Sequence, residues 1–353
     1  MARHMPARHR CGDSVGGPEP APPPELAAFL RQQGLAGGHE PMRCTPLAGG
    51  VSSDIWRIDL PGRSVCVKRA LPKLRVGADW FAPVSRNRYE WEWLQLAASI
   101  VPAAVPRPLA HDEELGLFAM EFLPPERYPL WKRQLLDGQV DVGTAAQVGR
   151  LLAAIHNATA GRPAIARAFD SEANFHALRL EPYLLATAAR HPDLAPVLQE
   201  LARRTGAARI ALVHGDVSPK NILVGPQGPV LLDAECAWYG DPAFDIAFCL
   251  NHLLLKAVLR PHQAQSLMDA VDALAASYFE AVDFEPRARL EQRAAALLPG
   301  LALARIDGKS PVEYLLDRPV QQALVRREAR ALLLQPAATT AAISVRWRAA
   351  VAG

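Results

Sequence analysis

The chain has 353 residues, of which 50% are hydrophobic and 21% charged, enough for a buried core in one large or two ordinary domains and without a signature of global disorder. Lys and Arg number 39 against 36 Asp and Glu, a net charge of +3, too balanced for a dedicated nucleic-acid binder. No apolar run nears the roughly 18 residues of a membrane span, and five scattered cysteines (Cys11, Cys44, Cys66, Cys236, Cys249) form no C-x-x-C pair, which argues against a disulfide framework or structural zinc.

The first residues, Met1-Ala-Arg-His-Met-Pro, are basic but lead into no apolar segment, so no secretory signal is read and a cytoplasmic protein is expected. Residues 1–24 end in Pro20-Ala-Pro-Pro-Pro24 and hold few large apolar side chains to offset ordering entropy; they are expected to be a flexible tail. Leu26, Phe29 and Leu30 then share a helical face that stops at Gly34. Short alternating segments follow at Arg43 to Leu47, Asp54 to Leu60 and Ser64 to Arg69, the last two joined by a turn at Pro61-Gly62. A helix is expected over Ser85 to Ser99, and a strand pair at Arg107 to Ala110 and Leu117 to Phe122. Beyond the connector Leu123-Pro124-Pro125 the pattern turns helical: Thr144 to Ala158, Pro182 to Ala189, Leu194 to Thr205 and Phe244 to Leu259. Two short β-rich stretches, Ile222 to Val224 and Val230 to Leu232, flank the turn Gly225 to Gly228. The expected organisation is α+β: a sheet lobe at 25–123 and a mostly helical lobe at 124–353.

The most informative stretch is His214-Gly215-Asp216, followed five residues after the Asp by Asn221, just before the predicted hairpin. That spacing matches a kinase catalytic loop, in which a carboxylate faces the acceptor hydroxyl and an amide oxygen reaches a metal on the phosphates. After the hairpin, Leu232-Asp233-Ala234-Glu235 puts a second acid at a strand end. Together with Gly240-Asp241-Pro242-Ala243-Phe244-Asp245, these elements resemble the aminoglycoside phosphotransferase and choline kinase superfamily, from about Thr45 to about Tyr314. The resemblance implies a two-lobed protein-kinase-like fold and ATP- and Mg2+-dependent phosphoryl transfer to the hydroxyl of a small molecule.

Carried over residue by residue, the resemblance makes Asp216 the catalytic acid and Asn221 and Asp233 the Mg2+ ligands. Val65-Cys66-Val67-Lys68 resembles the strand whose Lys steadies the nucleotide phosphates. Its carboxylate partner is expected to be Glu90, with Glu92 as the alternative. Gly49, Gly50, Ser52 and Ser53 occupy the phosphate-loop position, and Glu121 and Leu123 the hinge whose main chain pairs with adenine. His214 is read as holding the loop, and Asp245 as capping the next helix and bracing that loop. His156 is read as a buried, hydrogen-bonded histidine.

The acceptor is less legible. From Pro261 onward 10 Asp and Glu face 11 Lys and Arg, no acidic surplus of the kind a polycationic drug requires. Leu303 to Tyr314 faintly resembles a C-terminal segment of 5-methylthioribose kinases, which makes Arg305, Asp307 and Lys309 candidate acceptor contacts; Glu235 is a further one, and Trp131-Lys132 and Asn251-His252 are candidates for the cleft lining. The resulting expectation is a kinase of a sugar-like metabolite, with an aminoglycoside-modifying kinase and a nucleotide-binding pseudokinase scaffold as rival readings.

Overall fold

The computed structural model describes residues 21–47, 52–73 and 83–352. Most of the expected tail lies outside them, and helix α1 already begins at Pro24 (Pro24–Gln32), where a proline at the helix start forfeits no hydrogen bond. Strands β1 (Arg43–Pro46), β2 (Ser53–Leu60), β3 (Arg63–Ala70), β4 (Pro108–Asp112) and β5 (Leu117–Glu121) form one antiparallel sheet in the order β1-β2-β3-β5-β4. All five fall within two residues of the sequence reading. The β2–β3 hairpin turns at Pro61-Gly62, with Gly62 at φ +77°.

Alternation along β3 decides what the sheet does. Val65 and Val67 pack with Leu26, Phe29 and Leu30 of α1 on one face, so the period of two turns Cys66 and Lys68 to the other. On that other face lies α2 (Arg86–Ile100), with Tyr89, Trp93 and Leu94 buried in the main core.

After Phe122 the chain enters a helical assembly: α3 (Trp131–Asp137), α4 (Val142–Thr159), α5 (Pro163–Ala168), α6 (Glu172–Phe175), α7 (Ala186–Arg190) and α8 (Ala195–Ala207). Between α6 and α7, His176–Leu185 is wound as a π-helix that contains Pro182. The sequence reading started its helix at Pro182; the wider π winding tolerates the proline inside the element instead. Strands β6 (Ala211–Val213) and β9 (Trp238–Gly240) pair with each other and enclose the hairpin of β7 (Ile222–Gly225) and β8 (Gly228–Leu231). The last helices are α9 (Ala243–Leu259), α10 (Ala264–Ala281), α11 (Arg287–Asp307), α12 (Pro319–Leu334) and α13 (Thr340–Ala352).

Helix α9 is the axis of this part: every residue from Ala243 to Val258 is buried. Its near-continuous apolar sequence is therefore a core signal, and no helix among the described residues is long and apolar enough to cross a membrane. Packing around α9 sets stability. Replacing Leu254, fully buried on α9, with Ala is expected to cost about 2–5 kcal/mol, whereas Leu334→Ala on the exposed end of α12 should stay within about 0.5 kcal/mol; denaturant unfolding checks both.

Candidate active site

Strand β3 delivers Lys68 into the space between the sheet and the helical part, where it is 2% exposed. Its Nζ donates to Glu90 Oε1 at 2.7 Å and to Asp233 Oδ1. Glu92, two residues along α2 and so on another helical face, instead pairs with Arg88 at 3.5 Å. Burial, partly offset by Lys68, pushes the Glu90 carboxyl up to about 8. Burial also opposes ionisation of Asp233, but Lys68 and Lys220 outweigh it and hold that carboxyl well below the usual range. Asp233 thus carries the charge that fixes the Lys68 ammonium. It is also the only non-glycine residue among those described with positive φ, +66°, a strained backbone held by its surroundings.

The loop after β6 is built on α9. His214 N and Gly215 N donate to the two oxygens of Asp245, each at 2.8 Å. His156 donates to the same carboxylate at 3.3 Å and accepts from Tyr278 Oη at 2.8 Å, as expected of a buried, bonded histidine. The brace read for Asp245 is present. The cap is not: Asp241 caps α9, accepting from Ala243 N at 3.0 Å while Arg293 donates to its carboxylate at 3.0 Å, because Asp245, although in the first turn of α9, has its two oxygens engaged by the amides of His214 and Gly215. Gly215 has φ +77°, and a Cβ there would stand 2.5 Å from Cys236 O. His214 accepts at Nδ1 from Asp216 N (3.1 Å) and donates from Nε2 to Leu232 O (3.1 Å), a neutral tautomer. Burial lowers its pKa further, so it holds the loop and is not placed as a base.

Asp216, 1% exposed, has two unequal oxygens. Oδ2 receives Arg179 Nη2 at 2.8 Å, Lys220 Nζ at 2.9 Å and Asn221 Nδ2 at 2.9 Å. Oδ1 is buried and has no partner among the described residues. Burial would raise the pKa of Asp216, but Arg179 and Lys220 outweigh it and keep the carboxylate ionised. Asn221 also donates to Asp216 O at 3.1 Å, and its amide oxygen accepts from no partner among the described residues.

Beside Asp233 a cleft between sheet and helices is lined by Glu90, Trp93, Leu94, Pro106, Met120, Leu231 and Ala234. Met120 leads into the hinge residues. Glu121 N is committed to Arg107 O at 2.9 Å, while Leu123 N has no partner among the described residues. Gly49 and Gly50 lie outside those residues. Ser53 Oγ is buried and unpartnered; Ser52 O accepts from Leu71 N at 2.8 Å and from Arg86 at 2.6 Å.

Most of the acceptor candidates are drawn elsewhere. Glu235 is engaged by Arg86 of α2 at 3.0 Å, and because that guanidinium also serves Ser52 O and Leu71 O, Glu235 ties the helical part to the sheet rather than meeting an acceptor. Asp307 pairs with Arg326 at 2.8 Å and His191 at 3.0 Å, and Lys309 pairs with Glu181 at 2.6 Å on the surface; these pairs staple the end of α11 to its neighbours. Arg305 stays near the centre, donating to Tyr183 Oη at 3.2 Å and Ser310 Oγ at 2.8 Å. Sequence reasoning missed Arg179, whose π-helical setting leaves no periodic signal. It also missed Lys220, whose charge inside the Asp216–Asn221 motif was legible.

The site can therefore offer a paired lysine, hard oxygen donors at Asp233 and Asn221, and a carboxylate oxygen at Asp216 that is unpartnered among the described residues. Comparison with known proteins finds that the phosphotransferase enzyme family (APH) matches residues 43–276. Methylthioribose kinases of Bacillus cereus (strain B4264) and Bacillus mycoides (strain KBAB4) are each 27% identical over 251 residues; the first match covers 64% of this chain and 63% of that protein, the second 64% of each. The chain thus spans less than two thirds of the length of these relatives. Among solved structures, an amicoumacin kinase in complex with AMP-PNP and Ca2+ superposes with a TM-score of 0.51 at 16% identity, covering 90% of this chain and 97% of that one, which shows a shared fold. Gly215→Ala forces a side chain against Cys236 in a left-handed backbone; a loss of about 1–3 kcal/mol and a displaced loop are expected, read as a lower Tm with activity falling further than stability.

Proposed function

The chain belongs to the phosphotransferase enzyme family, and on that premise we propose that it is an ATP- and Mg2+-dependent kinase acting on a hydroxyl of a small, sugar-like metabolite. The observation that carries this reading is the buried Asp216 carboxylate with one oxygen saturated and the other unpartnered. An acceptor oxygen desolvated without a donor is unfavourable by about 1–3 kcal/mol, and an incoming hydroxyl supplies the missing donor. Arg179, Lys220 and Asn221 fix the direction in which the free lone pairs point. Because its pKa is held low, Asp216 orients the hydroxyl and takes its proton late, as suits a loose phosphoryl-transfer transition state.

The other residues gather around the phosphates. Lys68, released from Asp233, is suited to the oxygens of the triphosphate, with Glu90 remaining as its anchor. Asp233 and the free amide oxygen of Asn221 form the hard, oxygen-only donor set that Mg2+ prefers. When bound there, Mg2+ would neutralise charge on the phosphate oxygens. Ser53 Oγ, buried at the start of β2 without a partner among the described residues, is a further donor for a phosphate. Catalysis on this reading is positioning and electrostatics, with no covalent step on the protein. The methylthioribose kinase relatives support a sugar-like acceptor, and the joint presence of Lys68, Asp216, Asn221 and Asp233 favours an enzyme over a pseudokinase scaffold.

Asp216→Asn keeps the shape and removes the proton acceptor. ADP release across sugars, amino alcohols and aminoglycosides should fall by about 10²–10⁴-fold, with Mg·ATP affinity by calorimetry essentially unchanged. Wild-type turnover in the variant would remove Asp216 from this role.

A further inference from the structure

The wall running from Asp216 down α9 carries more positive charge than the proposed reaction uses. Phe248, His252 and Lys256 lie four residues apart along one side of α9. The guanidinium of Arg179, which holds Asp216, lies 5.6 Å from the Phe248 ring centre. The His252 ring packs edge-on against Phe248 at 5.2 Å. Lys256 comes next: its Nζ lies 5.1 Å from the Tyr314 ring centre and 3.4 Å from His252 O. Arg305 joins the same wall through Tyr183, whose ring it covers at 5.7 Å and which itself lies 5.5 Å from Phe248.

The charges on this wall do not balance. Arg179 is matched by Asp216, and Lys132 by Glu313 at 2.5 Å. Lys256 is 1% and Arg305 8% exposed, yet neither has a carboxylate partner among the described residues. Donors are left over as well: Arg305 Nε and Tyr314 Oη are buried and have no partner among the described residues. Burial, reinforced by Lys132 and Arg305 and opposed by Glu313, brings the Lys256 amine down to about 7, and an anion beside it would reverse that shift. A buried cation without a counter-ion is strongly unfavourable, and so is docking a polycation against this wall.

We propose that the acceptor carries an anionic group, bound by Lys256 with Arg305 and Tyr314, while one of its hydroxyls meets Asp216. The proposal rests on the phosphotransferase reading and narrows it to hydroxy acids and phosphorylated sugars, at the expense of aminoglycosides. The shared chemistry is a carboxylate or phosphate on a polyhydroxylated carbon skeleton.

The test uses the full chain with matched acceptors: ribose, ribonate and ribose 5-phosphate; glucose, gluconate and glucose 6-phosphate; and one aminoglycoside. In an ADP-release assay an anionic member should exceed its neutral partner by about tenfold or more in kcat/KM, chiefly through KM, and the carboxylate and phosphate arms separate the two sources of charge. Lys256→Met should erase that preference. Equal or better use of the neutral sugar, or a preference that survives Lys256→Met, overturns the proposal. If no acceptor is turned over, thermal shift with the same compounds decides: ATP binding with no anionic compound bound overturns this proposal and leaves the phosphotransferase reading standing, whereas absence of ATP binding removes that reading.

Lys256→Met also reports on its own fold. With its folded pKa depressed, Lys256 makes the unfolded chain the better proton binder between about pH 7 and pH 10.5, so wild-type stability gains from this group as pH rises. The variant should therefore melt above wild type at pH 7 and lose that advantage toward pH 10. If it fails to fold, Lys256→Gln carries the same acceptor comparison.

Discussion

The Lys68 ammonium, buried between Glu90 on α2 and Asp233 at the end of the β7–β8 hairpin, is the interaction on which the arrangement of the site depends. Lys68 and Glu90 belong to the sheet part and Asp233 to the helical part, so the cluster joins the two. A second tie runs beside it, because Glu235, two residues after Asp233, takes Arg86 from the same helix α2. The motif Asp233-Ala-Glu235 therefore meets two cations from the other side of the cleft. Such buried pairs contribute little net stability compared with an apolar contact, but losing one partner costs about 3–5 kcal/mol. Their value here is registry: they fix how the sheet stands over the loop that carries Asp216.

The loop that carries Asp216 is fixed by a different device. Asp245 belongs to α9, the most deeply buried helix, and its two oxygens take the amides of His214 and Gly215. The loop that presents Asp216 is thus pinned to the rigid centre of the helical part. Arg179 closes the assembly from the π-helical turn, bonding Gly215 O at 2.6 Å as well as the carboxylate. A π winding shifts the side-chain phase relative to an α-helix, and that phase is what brings Arg179 to Asp216. The same helix α9 continues past Phe248 to His252 and Lys256, so the brace, the Asp216 carboxylate and the basic wall share one scaffold.

Much of this was legible in the sequence where the signal is local. The resemblance of Val65-Cys66-Val67-Lys68 to a known strand singled out Lys68, and the Asp216–Asn221–Asp233 spacing named the groups that the fold brings together. The choice between Glu90 and Glu92 turned on helical phase, and the structure settles it for Glu90. What was not legible depends on long-range partners. Glu235 looked free until α2 supplied Arg86, and Asp307 and Lys309 looked like acceptor contacts until α12 and the π-helical segment supplied Arg326 and Glu181. Arg179 gave no pattern because its winding has no common periodic signature, and the helices after α9 were not placed because their apolar faces are shared among several neighbours.

The central claim is that Asp233, which pairs with Lys68, is a ligand of the metal that accompanies ATP. Calorimetric titration of ATP into wild type and Asp233→Asn, each with and without Mg2+, tests it most directly. The account predicts that Mg2+ strengthens ATP binding to the wild type and has little effect on the variant. Equal strengthening in both proteins, or none in the wild type, would contradict it.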